Sequence, residues 1–202
     1  MTEEEWWLAC CDPEEMLESP QCRKNPRKVI LFTCACCRCV PERWDQKTCD
    51  QIELAERFAG TAMRVDVHLR FKDFGYTVGR FHSGAVARGG AIAQAKTINR
   101  ATLRTHFEDS PDHEFAVRAN ILRDIFGNPF RPVAFNPAWH TSDVLLLAQG
   151  IYDDRAFDRM PILADALQDA GCDNEDVLNH CREVNATHVR GCWVVDLVLG
   201  KQ

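Results

Sequence analysis

The sequence predicts a mainly α fold, a compact multi-helix array of about nine helices with one Pro-rich connector. Three observations predict it. Helix-start signals recur, with Thr, Asp, Asn or Ser ahead of proline or acidic residues, as at Thr2, Asp12, Asn25, Ser110 and Thr141. Apolar residues between these signals recur at helical spacing. Strand-like alternation is confined to one stretch, around residues 64–82.

The elements follow in order. Thr2 with Glu5 forms a capping box that opens an acidic helix through Ala9. Asp12 caps a second helix with Pro13 in its first turn, and Pro20 is expected to stop it. Asn25-Pro26 starts a third, running through the cysteine cluster to Pro41. A fourth reads from Gln46 to Ala59, with Cys49, Ile52, Ala55 and Phe58 at helical spacing. Residues 61–82 fit either a frayed helix or a short β-hairpin. Helices are then expected from Gly90 and from Pro111 to Phe126.

The stretch "GNPFRPVAFNPAW" is a connector, with Gly127 as the helix stop and Phe130, Phe135 and Trp139 as anchors. Four short helices follow it. The first is capped by Thr141 or Ser142 and the second runs through "MPILADALQDAG". The third starts at Asp173, and the last covers "HVRGCWVVDLVLG" to Gly200. The chain reads as a single domain, 1–202, divisible into 1–126 and a helical part 139–202 joined by connector 127–138.

The net charge of −6 argues against a general nucleic-acid binder, whose footprint is basic. Charge is unevenly spread. Residues 1–18 hold seven acids and no base, residues 19–47 seven bases and two acids, and residues 141–202 eleven acids and five bases. Solvated or complementary faces account for this pattern, and an acidic surface for a basic protein partner is the sharper alternative. No apolar run approaches the ~20 residues of a membrane span, and the acidic "MTEEEWW" is unlike a basic secretory leader. An intracellular, cytoplasmic protein is therefore expected.

A reducing compartment keeps cysteines as thiols or metal ligands. Eight of the eleven fall in residues 10–49 and three in 172–192. Within "CACCRC", Cys36 and Cys37 share a helix face with Val29, Thr33 and Val40, so they are expected as core residues. The alternative is zinc, because Cys34-x-x-Cys37 and Cys36-x-x-Cys39 overlap and "GCDNEDVLNHCREVNATHVRGCW" clusters Cys172, His180, Cys181, His188 and Cys192. If 173–181 is helical, Cys172 and Cys181 stand ~13 Å apart along its axis and cannot share one ion. His180 and Cys181 point ~100° apart, so one of them faces away. His188 and Cys192 are four apart and can share a face. The expected zinc tetrad is Cys37, Cys181, His188 and Cys192, with Cys36 as the substitute for Cys37.

Enzyme signatures are sparse. There is no P-loop, dinucleotide fingerprint, H-E-x-x-H or G-x-S-x-G. The glycines of "HSGAVARGG" fit a loop before a helix, and an anion cradle is the alternative. The thiols of "CACCRC" lie toward a helix C-terminus, where a reactive thiolate is disfavoured. No catalytic or cofactor-binding residue is assigned.

Several motifs carry a family resemblance: "EEWWLACCDPEEML", "LFTCACCRC", "LRDIFGNPFRPV", "MPILADALQDAGC" and "HVRGCWVVDLVLGK". They resemble a family of small helical, cysteine-containing proteins abundant in planctomycete bacteria. The resemblance covers about residues 1–60 and 118–201. Residues 61–110 depart from it, and Cys39 stands where the family has a base. It implies a helical, intracellular module and no particular activity. The function expected on all these grounds is a non-enzymatic accessory or protein-interaction module, and the alternative is a zinc-binding helical module, structural or catalytic.

Overall fold

A computed structural model of the chain describes residues 1–61, 65–70, 77–82, 88–103, 111–184 and 186–201. The fold is mainly helical, with eleven α-helices and one two-stranded hairpin among the described residues. The chain divides into two compact units, 1–122 and 123–202. The glycine-bearing stretch 83–87 and His106 lie outside the described residues.

The first unit opens with α1 (Glu3–Ala9) and α2 (Pro13–Leu17). The Thr2–Glu5 capping box forms, and Asp12 Oδ1 accepts the Glu14 N–H at 2.8 Å. Helix α2 ends before Pro20 as expected, and Pro20 also opens a further short helix, α3 (Pro20–Lys24). The Ser19 hydroxyl accepts the Cys22 N–H, and Pro20 takes the first helical position, where an N–H would have no intrahelical acceptor.

Helix α4 (Pro26–Arg38) carries the cysteine cluster, capped by the Asn25 carboxamide on the Lys28 N–H. Every residue from Val29 to Cys37 is buried, so the helix is enclosed all round and does not present a single core face. It packs on α5 (Gln46–Arg57), α6 (Arg88–Thr102) and α3. At its end the Trp44 indole N–H donates to the Cys37 carbonyl at 2.9 Å. Arg38 holds Glu56 and Glu53 at 2.6 and 2.9 Å, which joins α4 to α5.

Two strands pair, β1 (Asp66–Arg70) antiparallel to β2 (Thr77–His82). Val67 and Leu69 point into the unit while Asp66, His68 and Arg70 stay exposed, which is the period-two pattern of a half-buried strand. The Thr48 hydroxyl docks β1 on α5, donating to His68 O and accepting the Arg70 N–H.

Helix α7 (Pro111–Phe126) contains the unit boundary, and its last turn belongs to the second unit. Gly127 then adopts φ +66°, and a Cβ there would meet the Trp193 ring at 3.0 Å. Val133 and Phe135 of the connector pack against the core of this unit, and Trp139 is buried in it. The core gathers α8 (Ser142–Asp154), α9 (Met160–Asp169), α10 (Glu175–Arg182) and α11 (Trp193–Val198).

Two sequence expectations change in this unit. Helix α10 is capped by Asn174, one residue later than expected. The last helix begins at Trp193 and not near His188. The reason is local. Gly191 takes φ +99°, and the Val189 N–H is held by the Asp124 carboxylate at 2.8 Å, so residues 186–192 cannot continue a helical ladder. No described helix is long and apolar enough to cross a membrane.

Candidate metal centre

Four side chains converge in the second unit. Asp124 projects from the last turn of α7, between the buried Leu122 and Ile125, and is only 4% exposed. Its Oδ1 lies 2.7 Å from His188 Nδ1 and 3.1 Å from His180 Nε2. Its Oδ2 accepts the Val189 N–H. His180 comes from α10, and its Nε2 is also 3.2 Å from Cys192 Sγ. Cys192 Sγ lies 3.9 Å from His188 Nδ1. The thiol belongs to the residue that precedes α11.

One donor atom from each residue therefore faces one point, and all four atoms lie within 4.8 Å of one another. The side chains of His188 and His180 are 5% and 16% exposed, and Cys192 is fully buried. The imidazole rings meet edge-on at 4.9 Å between centroids. The Trp193 ring lies 5.2 Å from the His180 ring, which fixes that imidazole from outside.

The electrostatics follow from this packing. Burial alone would raise the Asp124 pKa, but hydrogen bonds from His180 and His188 hold the carboxyl below the usual range. Burial drives the Cys192 thiol well above its ordinary value, and the Asp124 charge adds to the rise. With no cation present, Cys192 is a neutral thiol beside a carboxylate.

The donor set suits a small cation. Zinc bonds of about 2.0–2.1 Å to nitrogen and oxygen and about 2.3 Å to sulfur place tetrahedral ligand atoms about 3.3–3.6 Å apart. Four of the six pairs span 2.7–3.9 Å, so an ion requires the Asp124–His188 pair to part by about half an ångström. One carboxylate and one thiolate would cancel a divalent charge, which matters where all four groups are shielded from water. His188 Nε2 is buried and meets no hydrogen-bond partner among the described residues, so the outer shell is complete on only one side.

A catalytic triad is a different geometry. There the imidazole joins nucleophile and carboxylate through opposite nitrogens. Here His180 presents the same atom, Nε2, to Cys192 and to Asp124, and His188 presents Nδ1 to both. The arrangement encloses a point and relays nothing.

Of the four residues expected as a tetrad, two lie in this group. His188 and Cys192 come together, across a turn and not along a helix face. Cys181 is not among the converging four. It is buried in the core of the unit, where burial pushes its thiol up to about 12. Its neighbour His180 is the residue of α10 that joins the converging group. Cys37 and Cys36 lie in the first unit, fully buried in α4, and no metal-holding group forms around residues 34–39 among the described residues. None of the eleven cysteines forms a disulfide. Asp124 was missed, although an acid inside the apolar run "NILRDIF" is a signal that a buried carboxylate needs partners.

No protein-family model, curated protein or solved structure matches the chain.

Proposed function

We propose that the second unit carries a structural zinc(II) centre made by Asp124, His180, His188 and Cys192, and that the protein is a non-enzymatic accessory or interaction module. The observation that carries this reading is the convergence of four buried donor atoms, one per residue, on a single point. Four protein ligands fill a tetrahedral shell and leave no position for water or substrate, which is the pattern of structural sites and not of catalytic ones. The Cys, His and carboxylate mixture suits zinc better than hard, oxygen-seeking calcium or magnesium. Bound zinc would offset the burial of Asp124 and take Cys192 as the thiolate.

The accessory role rests on the closed site, the acidic surface of residues 141–202 and the lack of enzyme motifs. Its basic protein partner, its cytoplasmic setting and its kinship with the planctomycete family belong to the same proposal. Cobalt substitution tests the centre. Co(II) should bind at one ion per chain, with the intense visible bands of a tetrahedral ion and a thiolate-to-metal band that Cys192→Ser removes. Weak octahedral bands, or a thiolate band that survives Cys192→Ser, would refute the assigned ligands.

A further inference from the structure

The ligands are distributed unequally along the chain. Asp124 and His180 sit on α7 and α10, whereas His188 and Cys192 belong to the irregular segment that leads into α11. Helix α11 has six residues, too few to be stable on its own. Yet it supplies Val194, Val195 and Val198 to the core of its unit.

Groups outside the four ligands also hold the segment, among them the buried valines of α11. Arg190 donates to the carbonyls of Tyr152 and Asp153 at 3.1 and 2.9 Å, and His140 Nε2 meets the Val198 carbonyl at 3.1 Å. Residues 186–192 form no helix or strand, and Gly191 sits at φ +99°. An ion held by all four ligands would bridge this segment to α7 and α10 at two points. The segment could then open only by breaking both bonds.

Building on the zinc-centre reading, we propose that metal loading locks residues 186–201 onto the second unit and that the metal-free protein opens there first. The device is a metal-dependent clasp. Released, it would uncover the apolar face of α11 and the core positions that it fills. The N-terminal unit contains none of the ligands and should not respond.

Amide hydrogen exchange on the full-length protein tests this, comparing metal-free protein with protein in buffered free zinc at about 100 times its Kd. A ligand that binds only the closed form suppresses opening in proportion to its saturation, so the amides of residues 193–198 should slow about 100-fold. Those of α8 and α9 should slow less, and those of α1 to α6 not at all. Asp124→Asn should abolish the zinc effect. Stoichiometric zinc binding with unchanged exchange at 193–198 would overturn the clasp and leave the centre standing. Equal slowing across α8, α9 and α11 would also overturn it, in favour of metal-dependent folding of the whole unit. Failure to bind zinc at all would remove the centre and the clasp together.

Discussion

The two cysteine-bearing regions of this chain look alike as text and differ as chemistry. In α4, Cys34, Cys36 and Cys37 are fully buried, and Cys36 meets Asn99 Oδ1 at 3.8 Å and the Arg118 guanidinium. There sulfur acts as a small apolar atom that fills a crowded helix. In the second unit one sulfur meets two imidazole nitrogens and shares them with a carboxylate. The density of cysteines is therefore a poor guide to metal chemistry. What matters is whether unlike donors from separate segments face one another.

Substitutions can break this contrast, and the largest effect should come from Asp124. Asp124→Ala leaves two buried imidazoles and the Val189 N–H without their acceptor. Breaking such a buried set costs on the order of 3–5 kcal/mol. Chemical denaturation should show that loss together with the loss of bound metal. A stability within 1 kcal/mol of wild type, roughly the scale of an ordinary surface change, would mean that Asp124 is not the hub described here.

The α4 thiols should respond to alkali. Burial pushes the Cys36 thiol from 9.0 to about 12. Above the ordinary thiol range the unfolded chain loses this proton first and the folded chain keeps it. Stability is thus full below about pH 8.5 and falls as pH rises toward 12, by on the order of 4 kcal/mol for this thiol. Denaturation midpoints across that range, compared with those of Cys36→Ala, measure the effect. A zinc-bound Cys192 has already lost its proton and should add nothing to the fall. An identical pH profile in Cys36→Ala would show that Cys36 does not carry it.

Two glycines give the smallest and sharpest contrast. Gly127→Ala places a methyl group 3.0 Å from the Trp193 ring at a positive φ, which should cost about 1–2 kcal/mol and weaken metal binding through the His180–Trp193 contact. Gly150→Ala, inside α8 with nothing within 4 Å of the new methyl, should stabilise by about 0.5–1 kcal/mol and leave the metal untouched. Thermal melts and metal titrations of both variants would separate local helix stability from the centre.

Much of the fold was legible because helix starts are local chemistry. Thr2, Asp12, Asn25 and Thr141 cap the helices that their residue types announced. Helix α2 ends before Pro20, as its proline announced, whereas the short helix that Pro20 also opens behind the Ser19 cap was not foreseen. The site was legible only in part. His188 and Cys192 were paired on helical spacing, but a turn at Gly191 brings them together. The choice between His180 and Cys181 was decidable from α10 itself. Val177, Leu178 and Cys181 form its buried stripe, which leaves His180 at the edge where a ligand can face another segment. Asp124 lies 56 residues before His180, and no local rule joins positions so far apart.

A metal centre at Asp124, His180, His188 and Cys192 leaves "CACCRC" without a part in metal binding. Elemental mass spectrometry on tag-free protein purified without chelator tests it most directly, run side by side on wild type, His180→Ala and Cys37→Ala. Wild type and Cys37→Ala should each carry about one zinc per chain, and His180→Ala none. Zinc that survives His180→Ala but disappears with Cys37→Ala, or no stoichiometric metal in wild type, would contradict it.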